Sequence, residues 1–222
     1  DDVLPPKKQA QPRVNLVNLD VLMRRLAVAE GAVAAPAMRS DHCTVCWNDG
    51  NVLEVFDGEM QGAPYGTGTA WRGVREAGWD EQLLLITTSY RFLLITPRQL
   101  VDLAGVGLSF TDQYKLDTLE SVVIVESWDK LLQHPKLLLT TTLGVARVYG
   151  TEQLKTAVEV PIPLKFDQPL LGAPLTAVGV SSSDSFVMVT ASGKGARMAV
   201  NGLRVAGTQV LNCNNDRVAA SV

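Results

Sequence analysis

The sequence predicts an all-β, propeller-like domain of about four blades, each built from one repeated strand–turn–strand unit. Three observations carry this. Four segments share one pattern, a short apolar run, a small or polar turn, then a second apolar run: His42–Phe56, Leu83–Ile95, Lys136–Tyr149 and Phe186–Val200. The turns contain residues that reach positive φ cheaply, as in Asn48-Asp49-Gly50-Asn51 and Ser192-Gly193-Lys194-Gly195. The flanking Leu, Ile, Val and Thr are strand formers.

Residues 1–13, DDVLPPKKQAQPR, offer no hydrophobic face and read as a linker or disordered tail, so the repeat domain spans 14–222. With Cys46, Thr87, Thr140 and Thr190 taken as equivalent, the repeats are spaced by 41, 53 and 50 residues. A short apolar element precedes each hairpin: Leu26–Ala29, Ala70–Val74, Val122–Val125 and Thr176–Gly179. A fifth copy, Arg217–Ala220, ends the chain with no hairpin after it. In a ring that strand would complete the first blade and remove an open edge. Leu19–Arg39 also has helical apolar spacing at 19, 22, 23 and 26, but the repeat register favours strand there.

Composition bounds the function. A chain of 222 residues with 46% apolar and 19% charged residues buries a substantial core and is globular. No apolar run reaches the roughly 18–20 residues of a membrane helix, and no signal segment opens the chain. Its start at Asp1-Asp2, without an initiator Met, reads as a fragment or processed product. Three cysteines are too few for a disulfide framework, which fits a reduced, cytoplasmic setting. A net charge of −3 argues mildly against nucleic acid, whose binders usually carry a basic surplus.

The last repeat is the most specific. It contains Val187-Met188-Val189-Thr190, Ser192-Gly193, Ala196-Arg197-Met198, Ala206-Gly207-Thr208 and Asp216-Arg217-Val218-Ala219-Ala220. This order resembles the blade repeat of the C-terminal domains of bacterial DNA gyrase and topoisomerase IV A subunits. The third repeat keeps Leu138-Leu139-Thr140, Gly144 and Arg147; the second keeps Leu85-Ile86-Thr87. The resemblance implies a β-pinwheel that binds and bends duplex DNA around a basic outer rim, as a non-catalytic accessory in a larger topoisomerase assembly. Two features depart from the family pattern. There is no box rich in glutamine, arginine and glycine, since Gln61–Gly68 has no cation. The basic position after the turn is met by Arg147 and Arg197, but by Leu94 and by Leu53 or Glu54 in the other repeats.

Seven cations sit on or beside the hairpins: Arg91, Lys136, Arg147, Lys155, Lys194, Arg197 and Arg204. They form either a stripe that contacts phosphates or a solvated surface of mixed sign, because Glu54, Asp57, Glu59 and Glu152 interrupt them. Contact through such a stripe would be weak, salt-sensitive and indifferent to base sequence. Other constellations read blandly. Cys43 and Cys46 lie three apart on a strand, which points them to opposite faces and away from a shared zinc. His42 and His134 have no nucleophile in a recognisable motif. Gly193-Lys194-Gly195 leads into a strand, not the helix a phosphate loop needs. Trp47, Trp71, Trp79 and Trp128 read as packing residues. No cofactor or metal is expected. The alternative to a DNA module is a protein–protein interaction propeller that has lost the rim.

Overall fold

A computed structural model describes residues 40–48, 53–58, 71–105, 109–159, 172–204, 206–213 and 216–221. The first-blade turn at 49–52, the tail 1–13, the segment Leu19–Arg39 and the stretch Gln61–Gly68 lie wholly or mainly outside those residues.

The described chain forms four small antiparallel sheets. Each contains one of the four expected hairpins: β1 (His42–Trp47) with β2 (Leu53–Asp57), β4 (Leu83–Thr87) with β5 (Phe92–Ile95), β7 (Lys136–Thr141) with β8 (Val145–Gly150), and β10 (Ser185–Thr190) with β11 (Gly195–Ala199). A third strand pairs with the other side of the hairpin's first strand: β3 (Gly73–Gly78), β6 (Val122–Ser127), β9 (Pro174–Val180) and β13 (Val218–Ser221), respectively.

This pairing corrects the ring-closure expectation. The final strand does not complete the first blade; it pairs with β10 of its own repeat, Val189 opposite Ala220 and Thr190 opposite Val218. Every third strand belongs to the hairpin before it. The open side of each hairpin's first strand needs hydrogen-bond partners, and the next strand along the chain supplies them. Among the described residues, each third strand has a hairpin to pair with.

The hairpin turns also correct the repeat register. Positive φ falls at Tyr90, Gly144 and Gly193, three residues after Thr87, Thr141 and Thr190. Each of those threonines accepts at Oγ1 from the backbone N–H four residues on, at 3.1, 3.2 and 3.2 Å. Thr141, not Thr140, is therefore the equivalent, and the spacings become 54 and 49. A side-chain acceptor closing a positive-φ turn is local chemistry, so it recurs wherever the pair recurs.

The blades stack through three cores. Cys43, Val45 and Trp47 meet Leu83, Leu85 and Leu93 in the first. Leu84, Ile86 and Phe92 meet Leu137, Leu139 and Tyr149 in the second. Leu138 and Ala146 meet Phe186, Met188 and Val200 in the third. Strands β4 and β7 are covered on both faces, which is why they read LLLIT and KLLLTT rather than alternating. Strand β10 is covered on one face only and alternates: Phe186, Met188 and Thr190 are buried, while Ser185, Val187 and Val189 are exposed.

Among the described residues four short helices interrupt the β pattern: α1 (Pro97–Gly105), α2 (Phe110–Tyr114), α3 (Trp128–Leu132) and α4 (Thr151–Glu159). Helix α1 starts with a capping box, in which Gln99 N–H donates to Thr96 Oγ1 (3.2 Å) and Thr96 N–H to Gln99 Oε1 (2.9 Å), with Pro97 at the first helical position. After each hairpin from the second onward, the chain reaches back over the edge of the preceding blade. Helix α1 contacts β2, helix α4 contacts β5, and the two-residue β12 (Thr208–Gln209) pairs antiparallel with β8. This strap interlocks neighbouring blades.

Candidate nucleic-acid interface

Of the seven predicted cations, Arg91 turns inward. It is 13% exposed, and its Nη1 faces the Glu120 carboxylate at 3.4 Å. Nη1 and Nη2 also donate to the carbonyls of Lys115 (3.2 Å) and Tyr114 (2.6 Å). Glu120 is 2% exposed and accepts from Thr87 Oγ1 at 2.5 Å. Arg91 thus ties the loop after α2 to the second hairpin.

Arg147 is half-buried, with its guanidinium 5.0 Å from the Tyr149 ring centroid. It stands opposite Leu139, on the face that looks toward the second core, whereas Arg197 stands opposite Val187. The two arginines are six and seven residues after their threonines, and adjacent strand positions face opposite ways. The equivalence drawn between them from sequence is therefore overturned. Arg147 is seven residues after Thr140, but the turn acceptor is Thr141.

Lys155 lies on α4 and pairs with Glu152 at 2.8 Å; Lys136 is half-buried at the start of β7. Lys194, Arg197 and Arg204 are exposed. Lys194 follows the turn glycine, Arg197 donates to Ser185 Oγ from Nε (3.0 Å) and Nη2 (2.8 Å), and Arg204 precedes the strap. Arg217, also exposed, lies outside the seven expected from sequence although it sits in the Asp216-Arg217 motif of the last repeat. Its carbonyl accepts from Ala191 N–H at the turn end of the blade.

These four cations share residues 172–222 with only two carboxylates, Asp184 and Asp216, while the preceding 171 residues hold sixteen cations against twenty-one carboxylates. The net negative charge of the chain thus conceals a basic C-terminal repeat. Both carboxylates are engaged by hydroxyls and backbone. Asp216 accepts from Ser192 Oγ at 2.5 Å, which with Thr190 and Arg217 N–H holds its carboxyl well below the usual range. Asp184 accepts from Ser181 N–H at 2.7 Å, and that bond lowers its carboxyl too. Among the described residues, none of the four cations is in an ion pair.

The remaining constellations are absorbed by packing. Cys43 lies in the first core and donates to the Ala77 carbonyl (3.4 Å); Cys213 lies in the third. Trp47 donates to the Val123 carbonyl and Trp79 to that of Ser40. Trp128 is in the second core, and Trp71 meets Phe56 edge-on. The His134 ring lies against Gly179, where an added Cβ would come within 2.4 Å of it. Two open clefts beside the third strands share Glu126, Thr176 and Ala177. The Arg75–Glu126 pair, at 2.6 Å, bridges β3 and β6 there. No helix of the described residues is long and apolar enough to cross a membrane.

No protein-family model matches the sequence, and no curated protein matches it. Among solved structures, the C-terminal domain of E. coli ParC superposes with a TM-score of 0.55 at 15% identity, over 82% of this chain and 79% of that one. The chain has the fold of that domain, a β-pinwheel. The C-terminal domain of DNA topoisomerase IV agrees, with a TM-score of 0.53 at 11% identity over 84% of this chain and 63% of the other. The DNA gyrase A C-terminal domain superposes more loosely, with a TM-score of 0.42 at 12% identity over 81% and 98%. At such identities the likeness is one of pinwheel architecture, and side-chain roles rest on the geometry of this chain.

Proposed function

We propose that this pinwheel is a non-catalytic module that contacts duplex DNA through the phosphates, using Lys194, Arg197, Arg204 and Arg217. The observation that supports it is the concentration of cations, none of them ion-paired among the described residues, on the last repeat of an otherwise acidic chain. The fold shared with C-terminal domains of DNA topoisomerases supports the same reading. Phosphate neutralisation needs exposed guanidinium or ammonium groups and no base-specific geometry, so binding is indifferent to sequence. The contact belongs to one end of the blade stack, and the DNA bend it imposes is correspondingly small. The domain serves as an accessory in a topoisomerase assembly of the cytoplasm.

Fluorescence anisotropy of a labelled duplex, titrated at several salt concentrations, tests this. Four phosphate contacts give a slope of log K against log salt of about −3 to −4. Replacing Lys194, Arg197, Arg204 and Arg217 together by alanine is expected to reduce that slope to near zero. Absence of binding at low salt, or an unchanged slope in the variant, would overturn the assignment.

A further inference from the structure

We propose that the outer edge of the last blade, strand β11, accepts an extended acidic segment of a partner protein by strand addition. Comparison of the third and fourth blades carries the inference. In the third blade, the strap from the next repeat pairs Thr208 with Ala146 and Gln209 with Val145 on the edge strand. The N–H groups of Val210 and Leu211 then donate to the Gly144 carbonyl, at 2.9 and 3.2 Å. The strap fills the space around that turn so closely that a Cβ on Gly144 would lie 2.1 Å from the Leu211 carbonyl oxygen. Gly193 occupies the same turn position with the same positive φ, and among the described residues nothing stands within 4 Å of a Cβ built there. Ala146 is fully buried, whereas its counterpart Gly195 is exposed.

The last blade's outward face is open in the same way. Leu84 and Ile86 in the second blade and Leu138 in the third are at most 1% exposed, because the following blade covers them. Their counterparts Val187 and Val189 are 40% and 37% exposed. A five-residue edge to whose outer side no described strand pairs, beside exposed valines, is the surface to which peptides add as strands.

Charge selects the occupant. Arg197 stands at the centre of the edge strand and Lys194 at its start, both exposed. Two copies of this chain joined edge to edge would bring Arg197 against Arg197, which disfavours self-pairing. An acidic segment with an apolar residue for the valine face complements both features. The inference does not depend on DNA binding and is tested without DNA.

The probe is a synthetic nonapeptide copying residues 203–211 with Arg204→Glu and Ala206→Glu. In the register of the native strap, the second glutamate falls opposite Arg197. Saturable binding in the micromolar range is expected, with new amide-exchange protection confined to Gly195–Ala199. Arg197→Glu, at an exposed position that leaves the fold intact by circular dichroism, should weaken binding about tenfold. The same peptide N-methylated at its Thr and Gln should not bind. Failure to saturate at millimolar peptide, protection elsewhere, or equal binding of the N-methylated peptide would each overturn the proposal. A concentration-dependent dimer through the same amides, without peptide, would overturn it in favour of a second copy.

Discussion

Arg91 shows why a cation's place in a repeat does not reveal its task. It lies beside a turn, like Lys194, yet its charge answers the buried Glu120 carboxylate. Removing one partner of a buried pair leaves the other uncompensated, so Arg91→Ala should destabilise the fold by about 3 kcal/mol. Urea denaturation would show it, while the salt slope of DNA binding should not move. The thiols make a second prediction. Burial, with Glu81 and Asp57 adding to it, raises Cys43 from 9.0 to about 11; burial and Glu54 do the same for Cys46. The folded state disfavours both thiolates. The associated stability is fully present below the unfolded value near 9 and is lost as pH rises through about 11. The urea midpoint should therefore be flat from pH 7 to 9 and fall beyond it, and a Cys43→Ser, Cys46→Ser variant should fall less steeply, the remainder coming from Cys213, Tyr90, Tyr114 and Tyr149, which burial raises as well.

Among the elements, hairpin turns were the most legible, because a threonine acceptor and a positive-φ residue act within five residues of each other. Tyr90 is the instructive exception: it holds φ 60 where its counterparts are glycines, so the second turn was visible only through Thr87. The helices are legible from their start signals, as in Thr96-Pro97-Arg98-Gln99, although the strand repeat does not contain them. Gly144 and Gly193 test the strap directly. Gly193→Ala meets only the left-handed backbone and should cost about 1–2 kcal/mol. Gly144→Ala also meets the Leu211 carbonyl and should cost about 2–4 kcal/mol. Equal losses in a thermal melt would argue that the strap is not seated on the third blade.

The whole molecule is a stack in which each blade contacts mainly its neighbours. Stability in such arrays is the sum of blade and interface terms, so end blades open more readily than covered ones. Hydrogen exchange should be slowest in β4 and β7, whose faces are both covered, and fastest in β10 and β11. The basic end of the molecule and its open edge coincide on that last blade. A partner strand added to β11 should therefore slow its exchange more than that of any other strand.

Blade number, turn positions and the existence of a third strand were set by residue order, because each depends on interactions a few residues long. The partner of each third strand was not. Leu84 and Ile86 look like Val187 and Val189 in a linear reading, yet one pair is sealed by the next blade and the other is open. Arg91 and Lys194 likewise read alike, yet the first meets the Glu120 carboxylate and the second meets none among the described residues. Strand pairing and charge compensation join residues that lie tens of positions apart along the chain. Their outcome depends on which surfaces meet, which only the folded blades decide.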